Sequence, residues 1–307
     1  MSRRAWAWLR LVGGAAILGV IVWRVGTGPV IDGIRTISTA SVVAAVALTA
    51  VTTVAAAYRW SVVADGLGVR IGLRPAIAAY YRSQFLNTAL PGGVLGDAHR
   101  AVRHGQDVCD VNHAARAVVW ERCAGQAVQV VLALAVLVLA PSPVHGDLPL
   151  VLGFVALAAA AVVAAGRLLP RSSRVLRAVR ADVRNGLVAQ GRWVRIGASS
   201  VVVVAGHTAT FVLAARVAGV GLSLVRLLPL AMLVLLAMAV PINIGGWGPR
   251  EGVAAWVFGA AGLGAGAGVA TAVVYGVMAL VAGLPGALVI VGEGLASAAH
   301  TDGVTDA

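Results

Sequence analysis

Of the 307 residues, 60% are apolar and only 12% are charged, and the mean hydropathy is +0.91. Soluble domains mix about 45–50% apolar with about 25% charged residues, so this balance excludes an ordinary soluble enzyme. The net charge is +12 and all 24 basic residues are arginine; with no soluble basic domain to carry nucleic acid, that excess points to positive-inside topology and anionic lipid, not a nucleic-acid partner.

Apolar runs recur at residues 11–23, 40–57, 123–140, 148–166, 196–215, 227–244 and 252–292. A helix needs about 20 residues to cross hydrocarbon, and only a helix satisfies its own backbone within such a run. The expectation is an all-α, polytopic transmembrane helix bundle with about seven or eight spans and one or two re-entrant or broken helices. Residues 1–295 form one integral membrane domain and 296–307 a disordered tail.

Arg3, Arg4 and Arg10 flank the first run, which ends at Trp23 and Arg24 without a small-residue cleavage site. It reads as a retained helix with a cytoplasmic N-terminus. The second helix returns at Tyr58 to a segment holding Arg59, Arg70, Arg74 and Arg82, expected to be cytoplasmic. Residues 76–95 then dip into the membrane and come back. Residues 141–149 lack arginine and suit the outer side, whereas 166–195 hold eight arginines against one aspartate and belong inside. Arg167, Arg171, Arg174, Arg177, Arg180 and Arg184 step by three or four, so 167–195 is expected to form an amphipathic helix on the cytoplasmic leaflet.

Two segments interrupt the helical pattern in a related way. Residues 82–100 contain Arg82, Asn87, Pro91, Gly92, Gly93, Gly96, Asp97 and Arg100; residues 241–252 contain Pro241, Asn243, Gly245, Gly246, Gly248, Pro249, Arg250 and Glu251. Proline removes an amide donor and glycine frees the backbone, so helices end here at membrane depth. Paired broken helices in the two halves of a chain are the best sequence pointer to a transporter's binding site. Ionisable residues between long apolar stretches are expensive unless paired or wetted. Asp97 and Arg100 can pair on one helical face, while the adjacent Glu121 and Arg122 must each pair elsewhere. The candidate substrate-binding set is Arg82, Asn87, Pro91, Gly92, Gly96, Asp97, Arg100, Glu121, Arg122, Gly245, Gly246, Gly248, Arg250 and Glu251. Asp97, Arg100, Glu121, Arg250 and Glu251 are expected to converge despite their separation in sequence.

Other patterns carry less. His99, His104, Asp107, Asp110 and His113 match no metal-ligand spacing and suit a solvated loop. Gly262, Gly264, Gly266 and Gly268 lack the strand and acid of a nucleotide loop and suit close helix packing. Cys109 and Cys123 form no CxxC pair. No phosphate-binding loop with its lysine occurs, so movement of a substrate would be passive, ion-coupled or partner-driven. No catalytic residue, metal or cofactor is expected.

Three blocks resemble the lysylphosphatidylglycerol synthase transmembrane region, a flippase-like membrane family. They are residues 87–100 (NTALPGGVLGDAHR), Glu121–Arg122 with Gly125 in WERCAG, and residues 241–251 (PINIGGWGPRE). The family usually has paired glycines before the acid of the first block, where this chain has Leu95 and Gly96. The resemblance implies a stand-alone member without the synthase domain, and hence no aminoacyl transfer. It implies translocation of an anionic phospholipid or lipid-linked precursor in the inner (plasma) membrane. The alternatives are a membrane-embedded transferase and a non-transporting partner of a cell-envelope synthase or glycosyltransferase.

Overall fold

The computed structural model describes residues 35–90, 93–140, 173–239 and 248–305, besides the single positions 28, 31, 153 and 164, with side chains described through 293. The first apolar run, the loop at 141–149, most of 148–166, Arg167, Arg171, Pro91, Gly92, Gly245 and Gly246 lie outside the described residues. Every described element is helical. Among the described residues, four helices are long and apolar enough to cross a membrane, and the chain is a polytopic helical membrane protein.

Helix α1 spans Thr39–Gly66. It opens on a capping box, in which Ser38 Oγ accepts from the Ser41 amide at 3.2 Å and Ser41 Oγ accepts from the Ser38 amide at 3.0 Å. Its 28 residues extend about 42 Å, well past the apolar run at 40–57. Arg59 therefore lies inside the helix, not in the cytoplasmic segment predicted from arginine counting.

Helices α2 (Leu73–Ala89) and α3 (Leu95–Asp107) form an antiparallel hairpin. Near the tip, the Asn87 carboxamide oxygen accepts from the Gly96 amide at 2.8 Å. At the base, His104 Nε2 lies 2.9 Å from the Val69 carbonyl. Gly96 makes this pairing possible: a Cβ there would collide with the Ser83 carbonyl. The predicted dip and return at 76–95 corresponds to this hairpin, but its returning arm continues to Asp107.

Helix α4 (Val111–Leu139) leaves the end at which the hairpin is based. The basic segment folds back against that same end. It is not one continuous amphipathic helix: α5 covers Arg174–Asp182, followed by a π turn at Val183–Val188 and a 3-10 turn at Ala189–Gly191. Two contacts break it. Asp182 is buried and accepts from Arg116 and from Trp120 Nε1, pinning the segment to α4. Gly66 brings α1 close to the π turn, where a Cβ would sit 2.5 Å from the Asn185 carbonyl. Arg174, Arg177 and Arg180 remain exposed.

Helix α6 (Arg192–Val217) runs from this arginine-rich end to the other. There it meets a second hairpin, α7 (Leu224–Ala237) and α8 (Pro249–Ala260). Phe211, Ala214 and Ala215 of α6 pack with Leu227, Leu230 and Val234 of α7 and with Val257 and Phe258 of α8 in one apolar cluster. Within the run at 227–244, helix is described through Ala237, and α8 begins at Pro249 and packs back against α7. Helix α9 (Ala265–Thr305) returns across the bundle. The run at 252–292 therefore resolves into one short and one long helix. Helical geometry continues through 296–305, predicted as a tail, where the alanine-rich stretch favours helix.

Long helix, hairpin and long helix thus occur twice: α1, α2–α3, α4, and again α6, α7–α8, α9. The first hairpin is based at the arginine-rich end and the second at the opposite end, so the two units run in opposite senses.

Candidate functional site

The hairpin tips meet across a cavity of about 270 Å³. Gly93 comes from the first tip and Pro249 and Arg250 from the second; Arg59, Tyr80, Arg122, His207 and Tyr275 complete much of the wall. A second cavity of about 170 Å³ shares Arg59, Arg122, His207 and Tyr275 with the first, and adds Gln126 and Gln129. Such volumes lie at or below the low end of the roughly 300–1,000 Å³ typical of ligand pockets.

Glu121 is the hub of the charge network. It is fully buried, at 0% exposure. Its carboxylate accepts from Arg59 at 2.8 and 2.5 Å, from Arg100 at 3.1 Å and from the Tyr80 hydroxyl at 3.1 Å. Arg59 also donates to Ser200 at 3.1 Å, tying α1 and α4 to α6. Gly125, one helical turn beyond Glu121, leaves room for the guanidinium, because a Cβ there would come within 2.7 Å of it.

Asp97 sits one layer nearer the hairpin tip. It accepts from Arg100 at 3.0 Å, Arg122 at 2.6 Å, Ser83 at 3.1 Å and Asn87 at 3.2 Å. Arg100 is buried between the rings of Trp60 and Tyr80, 4.5 and 4.3 Å from their centroids. Cation–π contact there replaces hydration that the guanidinium has lost. Arg122 is different: its side chain is 40% accessible, and it lines both cavities.

On the second hairpin, Gly248 has φ +125, a conformation that favours glycine. Its amide donates to Glu251 Oε2 at 2.7 Å, and Pro249 occupies the first helical position, where a missing donor is harmless. Glu251 Oε1 accepts from Arg250 Nε at 2.7 Å. The Arg250 guanidinium lies 5.5 Å from the Tyr275 ring centroid. Gly276 admits it, since a Cβ at that position would overlap the guanidinium.

Each cavity-facing arginine thus has a carboxylate behind it. Arg59 is backed by Glu121, Arg122 by Asp97 and Arg250 by Glu251. Arg59, Arg122 and Arg250 line the larger cavity, and among the described residues no aspartate or glutamate does. Four buried or cavity-facing guanidiniums, counting Arg100, stand against three carboxylates in this network. Among the described residues, this network therefore holds one more guanidinium than carboxylate.

Of the predicted site residues, Asn87, Arg122 and Arg250 reach the cavity wall. Asp97, Arg100, Glu121 and Glu251 form the layer behind it, and Gly96 and Gly248 shape the backbone. Arg82 is elsewhere. It is buried against Glu293 of α9 at 2.6 and 2.7 Å, and Arg103 joins the same carboxylate at 2.6 Å. Arg59, Tyr80 and Tyr275 were not in the predicted set. Arg59 was hidden by its place next to an arginine-rich segment; a tyrosine within an apolar helix gives no signal by itself. Among the described residues, no three His, Cys, Asp or Glu side chains gather as a metal site.

Residues 7–286 match the family described as the lysylphosphatidylglycerol synthase TM region. The chain belongs to that family. Its members' shared region covers both hairpins and the whole charge network, and places the chain among membrane proteins of lipid metabolism. No curated protein and no solved structure matches the chain.

Proposed function

We propose that this protein moves an anionic phospholipid or lipid-linked precursor between the leaflets of the plasma membrane, with its N-terminus cytoplasmic. The observation that carries this reading is the polarity of the cavity wall, where three arginines face inward and their carboxylates are held behind them. A lipid phosphate entering between the arginines gains charge-assisted hydrogen bonds from donors already desolvated and oriented. Its acyl chains stay in hydrocarbon. The hydroxyls and carboxamides of Thr49, Gln84, Asn87, Gln126 and Gln129 offer partners for a hydroxylated headgroup. The arginine-rich end, with α5 exposed, faces the cytoplasm in this reading and gathers anionic lipid.

The test is reconstitution of the purified protein in phosphatidylcholine vesicles with a trace of acyl-labelled phosphatidylglycerol. The labelled lipid is expected to become accessible to an external quencher faster than in protein-free vesicles. Labelled phosphatidylcholine is expected to lag behind it. Equal rates for both lipids would remove the anionic preference, and no acceleration would remove the translocase reading.

A further inference from the structure

His207 occupies an unusual position for a titratable side chain. It lies on α6, halfway across the bundle, and is the histidine that lines both cavities. Its Nδ1 is 3.2 Å from the Tyr275 hydroxyl. Its Nε2 has no hydrogen-bond partner among the described residues. Tyr275 in turn lies under Arg250, the arginine of the second hairpin. One imidazole is therefore linked, through a single ring, to the start of α8.

Three arginines share the cavities that His207 lines. Arg59 faces the shared cavities from α1, Arg122 from α4 and Arg250 from α8. Tyr80 comes from α2 and Tyr275 from α9. Glu121, Asp97 and Glu251 are present but sit behind their arginines and are already paired. The neighbouring part of α7 supplies Leu235 and Met238, which do not titrate; nor does any residue at 241–247. Among the described residues, the charged groups that share these cavities with His207 are arginines. A phosphate anion held between them brings a negative charge beside the ring, and a proton on the imidazole is then favoured by that opposite charge.

We infer that His207 couples the movement of the anionic lipid to a proton, one proton travelling with each lipid charge. The inference rests on the translocation reading above. In this cycle the imidazole takes the tautomer whose Nδ1–H donates to the Tyr275 oxygen, which leaves the Nε2 lone pair to take the proton. A proton from the aqueous side to which the cavity is open bonds to Nε2 as the lipid phosphate docks. It leaves to the other side when the phosphate departs. Lipid and proton bind with positive linkage, and linkage is reciprocal: each raises the affinity of the other by the same factor. The loaded cavity then carries the same net charge as the empty one, so the membrane potential does no work on the crossing.

Proteoliposomes of phosphatidylcholine with trace acyl-labelled phosphatidylglycerol test this. Potassium and valinomycin clamp the membrane potential, and an imposed pH difference is the driving force. With one proton per lipid charge, a difference of ~1 pH unit is expected to give about tenfold enrichment of the labelled lipid in the leaflet facing the alkaline side. Protein-free vesicles under the same gradient set the baseline. A lumenal pH dye is expected to report one proton moved per lipid. His207→Gln removes the titrating nitrogen and is expected to abolish the enrichment, whatever rate of movement remains. His113→Gln, which alters a half-buried histidine at the start of α4, away from both cavities, is expected to retain it.

Four outcomes separate the possibilities. Movement of the lipid without gradient-driven enrichment in the unaltered protein overturns proton coupling and leaves the translocase reading standing. No movement at all overturns both. Enrichment that survives in His207→Gln, or in His207→Asn where the first variant does not fold, overturns the assignment to His207. Enrichment lost in the His207 variants and kept in His113→Gln supports it.

Discussion

At the scale of single residues, the network is governed by the cost of leaving a charge alone in a dry interior. Glu121 accepts from two arginines and a tyrosine with no exposure of its own. Glu121→Ala leaves Arg59 and Arg100 without that counter-charge. Breaking a buried pair from one side costs about 3–5 kcal/mol. A correspondingly lower unfolding midpoint in detergent is the expected result. Gly276 acts oppositely, by taking up no space. Its substitution by alanine pushes the Arg250 guanidinium, the far end of a flexible side chain, from its seat beside Glu251 and Tyr275. Gly276→Ala is expected to change the unfolding midpoint little, by under about 1–3 kcal/mol, and to slow lipid movement severely. A slow, well-folded variant would separate the position of Arg250 from the stability of the fold.

Sequence spacing showed part of this network. The three-residue separation of Asp97 and Arg100 makes a helical pair, and adjacency forbids one between Glu121 and Arg122. The partner of Glu121 could not be seen. Arg59 is 62 residues away and follows an apolar run directly, where an arginine is ordinarily a topology signal. Only the extension of α1 to Gly66 turns that position inward.

At the scale of elements, the two hairpins depend on close backbone contact. Gly96 lies against the Ser83 carbonyl, a backbone atom that cannot rotate away. Gly96→Ala must push α2 and α3 apart, at a cost of about 1–3 kcal/mol or more. Lipid movement is expected to fall with it, since the Asn87 to Gly96 hydrogen bond closing the tip lengthens. The breaks themselves were legible as proline and glycine clusters. Their depth and opposite directions were not, because both depend on which bundle end each hairpin is based at. The basic segment is a second instance. Its arginine spacing indicated one amphipathic helix, but Asp182 and the Gly66 approach divide it. Asp182→Ala releases Arg116 and Trp120 from the segment, and faster tryptic cleavage between Arg174 and Arg192 is the expected readout.

At the scale of the whole molecule, two helix–hairpin–helix units of opposite sense place their tips on one cavity. Hydrophobic patterning alone indicated the helical class and the membrane, because runs of about 20 apolar residues have few other uses. It did not reveal the inverted arrangement, which resides in contacts between halves. The arrangement explains why charged residues are found so deep. Insertion scales assign about 2.5–3.5 kcal/mol to a lone arginine or aspartate at the helix centre, and each hairpin supplies a carboxylate for an arginine at the shared cavity. Arg250 is where this account is most exposed to test, because it joins the second hairpin, the cavity wall and Tyr275. The decisive measurement is the rate at which acyl-labelled phosphatidylglycerol crosses the bilayer in vesicles holding Arg250→Gln. The variant is first shown to be folded by its elution and melting profile. Loss of lipid movement to the protein-free rate is predicted; movement at the unaltered protein's rate would contradict the arginine-lined cavity as the path of the lipid headgroup.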